Sequence, residues 1–153
     1  MSMLSANDRF EILDLCSRYN NFLDRGDTEN LMECWTKNAF TFDSPWGKFT
    51  NWEKLRQFMT KEMHGGKLAG KRHVLFNVVI REGDDVDTAF VDAEYLVIDK
   101  DHLELISSGS FKGDKVQRIS MGWKFVARSQ KDDVLLPPSK SSAPQMQTDS
   151  QHH

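Results

Sequence analysis

Few residues in this sequence have the type and setting to do chemistry, and most of those point to proton transfer. HExxH, CxxC, GxGxxG, Walker and GxSxG patterns are all missing from the 153 residues. No metal and no cofactor is therefore expected, which leaves acid–base chemistry by side chains, or binding without turnover. Of the five histidines, His152 and His153 fall in a polar terminal stretch, His102 in a turn and His64 beside Gly65. His73 alone opens a long apolar run, Val74-Leu75-Phe76. An imidazole there can face a pocket and take a proton near neutral pH. It can equally be a hydrogen-bonded core or edge histidine. Asp24 is the second oddity. It lies where a helical pattern ends, and the helix dipole disfavours an acid there. Asp27 has a local task as a helix cap, whereas Asp24 has none. It is either a solvated turn residue or a partner for something distant.

The elements that must position these residues read as helices first and strands last. Ser5 caps a first helix, with Asp8 as its capping-box partner. A wide apolar stripe follows through Ile12, Leu15, Cys16, Tyr19 and Leu23 before Gly26 ends the helix. Asp27 caps a short second helix to about Trp35. Residues 39–42 form a short strand candidate, and 44–47 a loop. Thr50-Asn-Trp-Glu53 reads as a capping box for a third helix, stopped by Gly65 and Gly66. Strand-like stretches then cover 72–82, 88–98, 103–119 and 123–130, with short turns between them. Such spacing predicts an antiparallel meander. Ser108-Gly109-Ser110 and Gly113 predict a bulge or sharp bend in its third strand. Helices can cover one face of that sheet only, and a bent sheet around helices leaves a deep apolar pocket.

Composition bounds the rest. The hydrophobic share is 39% and the formal net charge is -3. That suits one globular domain and argues against a nucleic-acid or membrane-surface partner. No apolar run is long enough to span a membrane. The N-terminal residues lack a basic region ahead of an apolar stretch, so no secretory signal is expected. Cys16 and Cys34 lie in apolar helical patterns and read as buried free thiols of a reducing, cytoplasmic setting. Three of the four prolines fall in 137–153, which has almost nothing to bury. The expected domain is 5–136, followed by a disordered tail.

Four segments occur in an order and at distances that resemble a known family. They are Arg18–Asp27 (RYNNFLDRGD), Cys34–Phe42 (CWTKNAFTF), Arg72–Asn77 (RHVLFN) and Gly122–Arg128 (GWKFVAR). Together they resemble the SnoaL-like branch of the nuclear transport factor 2-like superfamily. Relatives there include scytalone dehydratase, bile-acid 7α-dehydratase, hexachlorocyclohexane dehydrochlorinase, polyketide cyclases and ketosteroid isomerases. The resemblance implies an α+β fold, a cone-shaped α+β barrel with three N-terminal helices packed in a curved, mostly antiparallel sheet around one pocket. It implies a catalytic aspartate and histidine at Asp24 and His73, and a polar pocket residue at Tyr19. Arg128 matches a pocket arginine of some members. Asn77 shares the strand parity of His73, which places it on the same face. Thr41, Trp46 and Phe111 are candidates for the substrate-binding wall, or plain core. The stretch Gly109–Asp114 holds no histidine, unlike scytalone dehydratase, so that enzyme's own reaction is not expected.

The reading that follows is a cofactor-free lyase or isomerase acting on a small hydrophobic substrate, assembled as a homodimer or homotrimer. Two other readings remain open at this point: a ligand-binding protein without turnover, and a small structural subunit of an aromatic-ring dioxygenase.

Overall fold

The computed structural model describes residues 3–133. The expected tail, 137–153, and the domain's expected end at 136 lie outside the described residues. Three helices, α1 (Ala6–Arg25), α2 (Thr28–Met32) and α3 (Trp52–Met63), pack in the hollow of a six-stranded sheet. The strands are β1 (Thr41–Ser44), β2 (Gly47–Phe49), β3 (Lys71–Glu82), β4 (Thr88–Asp99), β5 (Leu105–Ile119) and β6 (Gly122–Asp132). The sheet order is β2-β1-β6-β5-β4-β3. The last four strands form the antiparallel meander, while β1 joins β6 in parallel. The result is the cone-shaped α+β architecture.

Local chemistry accounts for the helix ends. The Ser5 hydroxyl accepts the Asp8 N–H at 3.0 Å and the Asp8 carboxylate accepts the Ser5 N–H at 2.9 Å, closing the capping box. Such a cap is worth about 1 kcal/mol. Gly26 ends α1 in the left-handed conformation at φ 71°, where a side chain is strained. Asn51, not Thr50, caps α3: its side chain accepts the Lys54 N–H at 3.0 Å. The second helix stops at Met32, short of Trp35, because Cys34 and Trp35 turn to meet β6, where Phe125 N–H donates to Cys34 O. The expected loop at 44–47 is the tight turn of a β1–β2 hairpin.

Bulges set the curvature and decide which side chains face inward. Along β4 the buried residues alternate as Ala89, Val91, Ala93, Tyr95 and Val97. On β3 the inward set starts at His73 and Leu75, opposite Val97 and Tyr95. Register then shifts between Phe76 and Val79, and Asn77 takes φ 51°. Beyond that bulge Val78 and Ile80 face the core instead. A second bulge at Gly113, φ 64°, shifts the buried set of β5 from Gly109 and Phe111 to Asp114 and Val116. The bend expected at 108–110 is absent, since pairing to β4 runs regularly through it. Gly109 instead makes room for the ring of Tyr95.

Candidate active site

Helix α1 and strand β3 bring Asp24 and His73 together. The Asp24 carboxylate accepts the His73 backbone N–H at 3.0 and 3.1 Å, and its Oδ1 meets ring Nδ1 at 2.6 Å. Both side chains are mostly buried, 11% exposed for His73 and 19% for Asp24. The last turn of α1 therefore presents an acid whose position is fixed by a backbone donor and whose charge is shared with an imidazole. The second ring nitrogen, Nε2, has no partner among the described residues. An ionised Asp24 holds the proton on Nδ1 and leaves Nε2 as a base.

His73 lines a pocket with an apolar wall. Tyr19, Asn20 and Leu23 of α1 form one side, with Phe42, Met59 and Leu68 beneath them. Tyr95, Phe111 and Gln130 of the sheet form the other, and Trp46 of the β1–β2 turn stands at the rim. The enclosed cavity is about 30 Å³, opening into a mouth region that brings the empty space to about 400 Å³ with solvent included. The site suits a small apolar molecule more than a large polar one.

Tyr19 is fully packed. It makes edge contacts with the rings of Trp35 at 6.0 Å and Phe125 at 5.5 Å. Burial pushes its phenol up to about 12, against the pull of Arg128, so the hydroxyl stays protonated. Across the pocket the Tyr95 hydroxyl donates to Asp132 and accepts from Gln130 Nε2 at 3.2 Å. Burial first, then the neighbouring Asp132 carboxylate, raise the Tyr95 phenol well above its ordinary range.

Three expected site residues sit elsewhere. Asn77 is exposed on the outer face and donates to Glu94 at 2.7 Å. The bulge there breaks the alternation that gave it the parity of His73. Arg128 is buried but lines no part of the pocket. Its Nε donates to Asp114 at 2.7 Å, and its guanidinium lies 3.8 Å from the Phe111 ring, 4.2 Å from Phe125 and 4.7 Å from Tyr19. It is a structural cation under the pocket floor. Thr41 alternates with Phe42, and Phe42 is the β1 residue that reaches the pocket. Trp46 and Phe111 are both on the wall. Asn20, Tyr95 and Gln130 line the pocket and were not singled out by sequence. Helical spacing gave a usable signal only for Asn20, four residues before Asp24 on the same helix face.

A SnoaL-like domain model matches residues 5–129. The chain belongs to the SnoaL-like family. This SnoaL-like protein is similar to a protein of unknown function with a cystatin-like fold from Nostoc punctiforme, with 29% identity and a TM-score of 0.77 over 90% of this chain and 98% of that one. It is similar in fold to a putative scytalone dehydratase from Novosphingobium aromaticivorans, with 18% identity and a TM-score of 0.68 over 82% and 84% of the two chains. ActVI-ORFA from Streptomyces coelicolor is similar at 16% identity and a TM-score of 0.68, over 82% and 97%. No curated protein matches the sequence.

Proposed function

We propose that this SnoaL-like protein is a lyase or isomerase in which the Asp24–His73 pair abstracts a proton from carbon in a small hydrophobic substrate. The observation that carries the reading is the 2.6 Å contact between His73 Nδ1 and Asp24 Oδ1 beside an apolar pocket. His73 Nε2 takes the proton from a C–H next to a carbonyl, and the C–H electron pair becomes an enolate. Asp24 stabilises the imidazolium that forms. Tyr19 stays a neutral phenol on the pocket wall, packed edge-on against Trp35 and Phe125. The enolate then expels a hydroxyl or halide from the neighbouring carbon. A departing hydroxyl takes the proton from His73 and leaves as water. Alternatively the proton returns at another carbon and the product is an isomer. A positioned base contributes roughly 10²–10⁴-fold, so the substrate must already have an acidified C–H. The likeness to a putative scytalone dehydratase supports this reaction class.

Exchange of α-hydrogens for deuterium tests the reading without knowledge of the natural substrate. Bicyclic ketones such as 2-tetralone are incubated with the protein in D₂O and followed by NMR. Exchange above the rate of His73→Ala and Asp24→Asn is expected. Equal rates in all three proteins across the ketones would make this a binding protein instead.

A further inference from the structure

Asn20 is the polar side chain of the pocket that the dyad does not use. It is 8% exposed, and its amide has no hydrogen-bond partner among the described residues, although it lines the pocket beside His73. Its amide atoms reach the accessible space of the pocket, where a ligand can meet them. Asn20 lies one turn before Asp24 on α1, about 6 Å along the axis, and lines the same pocket as His73.

The ionisable groups nearest this space, apart from the Tyr19 phenol packed on Trp35 and Phe125, have protein partners. Asp24 is held by His73, and Arg128 by Asp114. The Tyr95 hydroxyl donates to Asp132 and accepts from Gln130. Because Arg128 is bound to Asp114, the pocket floor offers no free cation to a carboxylate or phosphate. The remaining partner for Asn20 is a neutral ligand atom.

We infer that Asn20 anchors the substrate's carbonyl oxygen, and that the ligand is a neutral, apolar ketone or enone. Resting on the base reading of His73, the inference adds what that reading leaves open, namely which group sets the orientation and which substrates are turned away. With Asn20 Nδ2 on the oxygen, the adjacent carbon falls between Asn20 and His73. The same hydrogen bond strengthens as the oxygen gains charge. A carboxylate meets no cation on the pocket floor, which disfavours charged acids there.

Two probes of one shape isolate the anchor. Acetophenone and α-methylstyrene differ in having C=O or C=CH₂, and binding of each is measured by amide shift perturbation in NMR. Wild type should prefer acetophenone by about tenfold, the worth of one such hydrogen bond. Asn20→Leu should lose that preference and melt no lower than wild type, because an apolar group replaces an unpaired one. Asn20→Ala is the second variant, expected to lose the preference whatever its stability. His73→Ala should keep the preference, since binding does not need the base. Equal binding of both probes to wild type, a preference retained in both Asn20 variants, or no binding of acetophenone up to its solubility would overturn the inference. Loss of deuterium exchange in His73→Ala with the preference intact would uphold both readings. Intact exchange in His73→Ala would remove the base role and leave the anchor standing.

Discussion

The Tyr95 ring occupies the space that a side chain on Gly109 would need. The two residues are cross-strand partners, and a Cβ on Gly109 would lie 2.2 Å from the Tyr95 hydroxyl and 2.4 Å from the Lys131 carbonyl oxygen. The second contact is to backbone, which cannot swing aside. Gly109→Ala should therefore cost roughly 1–3 kcal/mol, as overpacking does. Urea denaturation measures it. Tyr95→Leu in the same chain should recover part of the loss but not all of it, because the Lys131 carbonyl remains.

Asp114 and Arg128 form a buried pair whose side chains are 1% and 3% exposed. The other Asp114 oxygen accepts the Ser129 N–H at 2.9 Å. Burial pushes the Asp114 carboxyl up, and the guanidinium and backbone N–H pull against it. Breaking such a pair leaves one uncompensated charge, at about 3–5 kcal/mol. Arg128→Met alone should lower stability by that order in chemical denaturation. Adding Asp114→Leu should return most of it, whereas additive losses would show that packing rather than charge holds the two strands.

The fold was legible from sequence because its signals are local. Ser5, Gly26 and the turn residues between the strands each fix their own neighbourhood. Asp24 stands out because it lacks a local task, and His73 because it opens an apolar run. The errors came from position along the bulged strands. Parity predicts the facing of Asn77 only while the ladder is regular, and the shift after Phe76 turns it outward. The resemblance puts Arg128 in the pocket, whereas the Gly113 bulge brings Asp114 beside it and makes the two a buried ion pair. Tyr95 and Gln130 gave no signal, since a tyrosine or glutamine in an alternating strand reads as ordinary wall.

Alkaline pH should unfold the protein through its buried acids. Burial raises the Cys16 thiol from 9.0 to about 11 and the Tyr19 phenol from 10.0 to about 12. Between those values the unfolded chain has released a proton that the folded chain keeps. The folded state then binds more protons, so stability falls as pH rises. The contribution of Cys16 is whole below pH 9 and lost by pH 11, and that of Tyr19 is lost between pH 10 and 12. Each accounts for about 2–3 kcal/mol. Urea midpoints from pH 8 to 11 should fall less steeply for Cys16→Ala than for wild type, whatever the cavity does to the absolute level. Parallel slopes would place the thiol in contact with water.

Asp24 should fix the tautomer of His73 as well as its place. The carboxylate takes the ring at Nδ1 and the backbone N–H at once, so two of its contacts resist rotation of the imidazole. Nitrogen chemical shifts of labelled protein at neutral pH should show the His73 proton on Nδ1. Asp24→Asn keeps an oxygen at the site but can present an N–H to the ring, which then places the proton on Nε2. Proton abstraction should fall by about 10²–10⁴-fold in that variant, the range expected when a general base is lost. His73→Ala should cost about the same, and the double variant little more than either, since residues that act as a unit are not additive. Full additivity in deuterium exchange, or an unchanged His73 tautomer in Asp24→Asn, would mean that the aspartate anchors the strand and takes no part in the base.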